Sequence, residues 1–134
     1  MTRTMVEGPE KTMEQVIFED GRYPPEAFGF LHEGLNRAVE MFHTEDDPRG
    51  QRHVTGQQLC QALASLALDK WGMLARTVLE HWNIRRTIDF GHMVYLLVDN
   101  EFMRKTDQDS IDDFRNVYDF DQALEYNQAF ELKE

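Results

Sequence analysis

The residues able to do chemistry are few, and most stand alone. Glu40 and His43 lie three apart, a spacing that lets one helical face offer a carboxylate and an imidazole to a metal. Di-iron carboxylate sites need two such pairs and two further glutamates, and the chain has one pair. His-Glu-x-x-His and paired Cys-x-x-Cys are missing too, so no metal centre and no cofactor are expected. His43 is expected instead to sit against the negative end of a helix. Cys60 is the single cysteine. It has no His or Asn at a protease-like spacing, and its apolar helical setting raises a thiol pKa, so it reads as a small hydrophobe. No Gly-x-Ser-x-Gly, phosphate-binding or dinucleotide-binding glycine pattern occurs. Scattered acids could still converge in space, which keeps an enzyme or metal protein with an unrecognised site as an alternative. One cluster remains. Arg85 and Arg86 precede a helix that carries His92 and Tyr95 three residues apart, on one side. Arg and Tyr are anchors of protein interfaces, and a helix N-terminus attracts a carboxylate or phosphate of a partner. His92 would make such binding sensitive to pH near its ordinary titration range.

The elements that must position these residues follow from periodicity. Phe90, Met93, Val94, Leu97 and Val98 form one stripe on a 3.6-residue period; Ala75, Val78, Leu79 and Trp82 form another, and Leu59, Cys60, Leu63, Leu66 and Ala67 a third. Three short helices with such stripes bury them only against one another. Thr55 is expected to cap the first of these, which runs to Asp69, and Thr87 or Asp89 the last. Upstream, residues 1–8 show no period and are expected to be mobile, and a helix starts at Pro9 and stops at Gly21. Another runs from about Pro25 to about His43, followed by a polar loop over 44–50. Downstream, Phe102–Lys105 and Phe114–Tyr118 carry aromatic and β-branched residues in partial alternation, which predicts a hairpin with an acidic tip. Asp119 is expected to cap a last helix carrying Phe120, Ala123, Leu124 and Phe130. Residues 9–134 thus read as one mainly α domain: a helical bundle with a small β-hairpin, its core over about residues 55–118 arranged like a winged helix, with extra helices at both ends.

Charge narrows the functions. The chain of 134 residues carries a formal −11, with 41% hydrophobic and 11% aromatic residues. Residues 99–134 hold eleven acids against four cations, a balance of −7. Such a surface repels phosphate backbones and anionic lipid, so neither nucleic acid nor a membrane is an expected partner. No apolar run reaches the roughly 18 residues of a membrane span, and the N-terminus lacks a signal-like apolar stretch. The expected location is the cytoplasm.

Two resemblances bear on this. The order helix, helix, tight turn, helix, two short strands resembles a winged helix-turn-helix, which would imply a transcription regulator using Arg85 and Arg86. A hairpin tip bearing Asp107, Asp109, Asp112 and Asp113 would repel a duplex. The phrases HVTGQQL, WGMLARTVLEHWNIRRTIDFG and DFRNVYDF resemble an uncharacterised family of small proteins from planctomycetes and verrucomicrobia. That family usually has a glycine-containing turn where this chain has Asn100-Glu101-Phe102, and it implies no activity. Phe30, Trp71, Tyr95, Leu96 and Tyr126 fall off or beside the stripes. The expectation is therefore a non-enzymatic protein-interaction or adaptor module, with Arg85, Arg86, His92 and Tyr95 against a protein partner.

Overall fold

A computed structural model describes residues 11–42 and 53–124, together with the backbone of residues 2–3. The elements are β1 (Thr2–Arg3), α1 (Met13–Asp20), α2 (Pro25–Phe42), α3 (Gly56–Trp71), α4 (Ala75–His81), α5 (Thr87–Asp99), β2 (Met103–Arg104) and α6 (Phe120–Ala123). Single 3₁₀ turns cover Gly72–Leu74 and Ile111–Phe114. The mainly α reading holds.

Local chemistry sets the boundaries. Thr12 and Thr55 each cap a helix through the hydroxyl, and Gln15 and Gln58, three residues on, return the bond to the cap's own N–H. Gly21 ends α1 with φ +75°, the left-handed turn that glycine adopts without strain. The helix expected from Pro9 begins at Met13; Pro9, the end near His43, the loop over 44–50 and Phe130 lie outside the described residues. Neither residue expected to cap α5 is its N-cap. The extended Arg86 holds that position, and Asp89, three residues in, accepts from its amide.

The stripes meet as their period requires. Leu59, Leu63, Leu79, Ile84, Phe90, Met93 and Val94 are fully or almost fully buried. α2 crosses α3 at Gly34, where any β-carbon would overlap the Leu63 side chain.

The expected hairpin does not form. Met103–Arg104 pairs antiparallel with Thr2–Arg3 instead, with Thr2 opposite Arg104. Residues 111–114 make a 3₁₀ turn, started by the Ser110 hydroxyl accepting from the Asp112 amide while Asp113 accepts from the Ser110 amide. This turn drives Phe114 into a notch between α3 and α5. Added β-carbons at Gly56 and Gly91 would each come within 2.9 Å of its ring. The Thr87 hydroxyl donates to the Phe114 carbonyl at 2.6 Å and accepts from the Val117 amide at 3.2 Å. Tyr118 donates to the Cys60 carbonyl at 2.7 Å. A strand here would leave Phe114 on a two-sided ribbon; the plug buries it completely. Burial wins, and the winged helix lacks its wing among the described residues.

Candidate partner-binding face

The link from α1 to α2 builds one wall of the site. Gly21 turns the chain, and Arg22-Tyr23-Pro24 brings it to the first turn of α2, which Pro25 starts with a pre-set φ. Tyr23 is buried and reaches α5, donating from its hydroxyl to Asp89 Oδ1 at 2.7 Å and lying 3.2 Å from His92 Nδ1. Asp89 Oδ2 accepts from the Arg85 amide at 2.8 Å and the Arg86 amide at 3.1 Å. One carboxylate therefore fastens the turn before α5, the helix end and the α1–α2 link. Burial and the bond to Asp89 raise the Tyr23 pKa. Beside it, Arg22 binds Asp20 at 2.9 Å, holding that carboxyl below its usual range against the opposing effect of burial. The same guanidinium sits 5.7 Å from the Tyr23 ring centroid. Asn83, in the left-handed conformation that ends α4, donates to the Arg22 carbonyl at 3.3 Å.

Three of the four expected residues gather around Asp89. Arg85 and Arg86 are exposed, and their side chains form no ion pair among the described residues. His92 is half-buried, 3.6 Å from Asp89 Oδ1. Tyr95 does not join them. Its ring stands edge-on to Phe114 at 6.5 Å, and its hydroxyl is buried without a hydrogen bond. Burial, then the nearby Asp109, raises its pKa. At the start of α5, Asp89 takes the Arg85 and Arg86 amides and places its own carboxylate beside the helix end, which works against a partner's phosphate there.

What sequence reasoning missed lies on the other wall. Phe18 is 85% exposed and borders a hollow of about 530 Å³ that also touches Tyr23, Trp82 and Asn83. Behind it, Phe30, Trp71 and Trp82 form an aromatic cluster with centroids 5.1–5.9 Å apart. Met73 and Leu74, exposed by 59% and 60%, follow Trp71 on the next turn. The hint in sequence is Phe18 itself, a large apolar residue directly after Val16 and Ile17, the two buried positions of α1.

Of the remaining candidates, the Glu40–His43 pair is only half described, since His43 lies outside the described residues. The Cys60 thiol is pushed up to about 12 by burial. Among the described residues no group of three His, Cys, Asp or Glu could hold a metal ion, and no helix is long and apolar enough to cross a membrane. His53 Nε2 lies 3.3 Å from Asp109, whose other oxygen accepts from the Thr106 amide; the pair pins the acidic loop. No family model, curated protein or solved structure matches the chain.

Proposed function

We propose that this chain is a non-enzymatic protein-interaction module whose partner docks on the face between α1 and the α4–α5 turn. The observation that supports this is Phe18: a large aromatic ring almost wholly in water, at the rim of a hollow walled by Trp82 and Tyr23. Aromatic anchors around a depression, with Arg at the margin, are the composition of interface centres. Met73 and Leu74, two and three residues after Trp71, are exposed apolar side chains as well. The Tyr23–Asp89–His92 contacts hold the floor rigid, so little ordering cost falls on binding.

The test is a photo-crosslinking residue at position 18 in the living cell, with position 40, exposed on α2, as the control. A discrete adduct at 18 and none at 40 is expected. Binding of the purified partner should then be lost in Phe18→Asp while the melting curve stays unchanged. Equal adduct patterns at the two positions would sink the reading.

A further inference from the structure

We propose that the chain binds a small apolar amine in a second hollow, bounded by α1, α2, the end of α5 and β2. This goes beyond the partner-binding reading and does not depend on it. The hollow measures about 310 Å³, and Met13, Ile17, Phe28, Leu35, Leu97 and Met103 make most of its wall. Its volume is about twice that of the ~150 Å³ dry cavity that admits benzene. One aromatic ring with a short alkyl stem, or an aliphatic group of similar bulk, therefore fits.

Gly29 indicates that the hollow is kept open. At Gly34, Gly56 and Gly91 an added β-carbon would come within 2.9 Å of a packed side chain, so the fold itself requires those glycines. At Gly29 it would meet nothing within 4 Å. Gly29 lies inside α2, where glycine weakens a helix relative to alanine. Pro25, Phe28 and His32, at four before, one before and three after it, all line the hollow, so the missing side chain belongs to the same face. Helix stability is lost there, and the fold gains no contact in return; open volume is what remains. The charge of the occupant follows from Glu14. Its side chain lines the hollow, is exposed, and pairs with no cation among the described residues. The whole chain carries −11. A ligand carboxylate would be repelled by Glu14 and by the field of the protein, whereas an ammonium is attracted by both.

The experiment titrates the full-length chain with phenylbutylamine, phenylbutanol and phenylbutyrate, read by methionine-methyl NMR. Met13 and Met103 line the hollow, and exposed Met73 does not. Saturable shifts at Met13 and Met103 and none at Met73 are expected, with affinity falling from the amine to the alcohol to the acid. Glu14→Gln should weaken the amine about threefold or more and leave the alcohol unchanged. Gly29→Leu should abolish binding while the melting temperature holds or rises, and Gly29→Ala, the smaller plug, should weaken it less. Undiminished binding in Gly29→Leu would put the ligand elsewhere. An acid that binds as well as the amine would overturn the ligand class, and shifts spread over Met73 would mean unspecific association only. Without any amine, Met13 and Met103 shifts that vanish on dilution would assign the hollow to a second copy. Nuclear Overhauser contacts from those methyls to residues 4–10 inside it would assign it to the chain itself. Either result overturns the site. The adduct test at position 18 reads the partner face separately, so each reading can fail alone.

Discussion

Phe114 and Phe18 are the same side chain in opposite situations. Phe114 is fully buried because two other positions gave up their side chains for it: Gly56 and Gly91 leave the notch its ring fills, and Thr87 fixes its carbonyl. Phe18 has no such notch. It follows the buried Ile17 on α1, and its ring stands 85% in water. The contrast separates what the fold needs from what it merely carries. An aromatic ring that several distant residues accommodate belongs to stability, whereas one that nothing accommodates is available to something else.

Substitutions can break or sharpen that contrast, and the largest effect belongs to the plug. Phe114→Ala should cost ~3–5 kcal/mol, a large share of a typical total, measured by urea unfolding. A loss near ~1 kcal/mol would mean that the notch collapses and the plug is decoration. Leu97→Ala should cost ~2–3 kcal/mol, at the low end for a core leucine because Leu97 borders a hollow and part of its environment is already open. Glu101→Gly should stabilise by ~0.5–1 kcal/mol. Glu101 has φ +67° and closes α5 with the Phe102 amide on the Leu97 carbonyl, the place where glycine avoids a β-carbon clash. Destabilisation there would show that the Glu101 side chain outweighs its strain. Phe18→Ser should stay within ~0.5 kcal/mol of the parent, and a larger loss would place Phe18 with Phe114 after all.

The smallest effect is a matter of pH. Arg22 lowers the folded-state pKa of Asp20, so its contribution is present above the unfolded value of about 3.9 and is lost as pH falls through the folded value. Stability curves of the parent and Asp20→Asn should therefore differ by a constant offset at neutral pH and converge only below about pH 4. Curves that diverge toward acid would reverse the sign.

The helices were legible because each stripe repeats several times on one period, and the caps at Thr55 and Asp119 because their signal is local. The plug was not. Phe114-Arg115-Asn116-Val117-Tyr118 has strand-like composition, but its partners are a hydroxyl on α5 and a carbonyl on α3. Ser110-Ile111-Asp112-Asp113 did carry a usable sign, since a serine with an acid three residues on starts a helical turn. The site divides in the same way. Arg85 and Arg86 flank α5 as their spacing implies. His92 and Tyr95, though three apart, part company because Tyr23, sixty-nine residues before His92, pulls one aside while Phe114 receives the other. No pattern within α5 records either visitor.

Cys60 gives the chain a clock. It is the single thiol, it lies against the plug through the Tyr118 contact, and burial keeps it protonated at neutral pH. A thiol reagent can therefore modify the protein only while α3 is open to solvent, and each molecule reports one event. With reagent in excess, the labelling rate reads how often the native packing parts around α3, without denaturant. A partner settled on the Phe18 face would slow that rate only if α3 and that face open together.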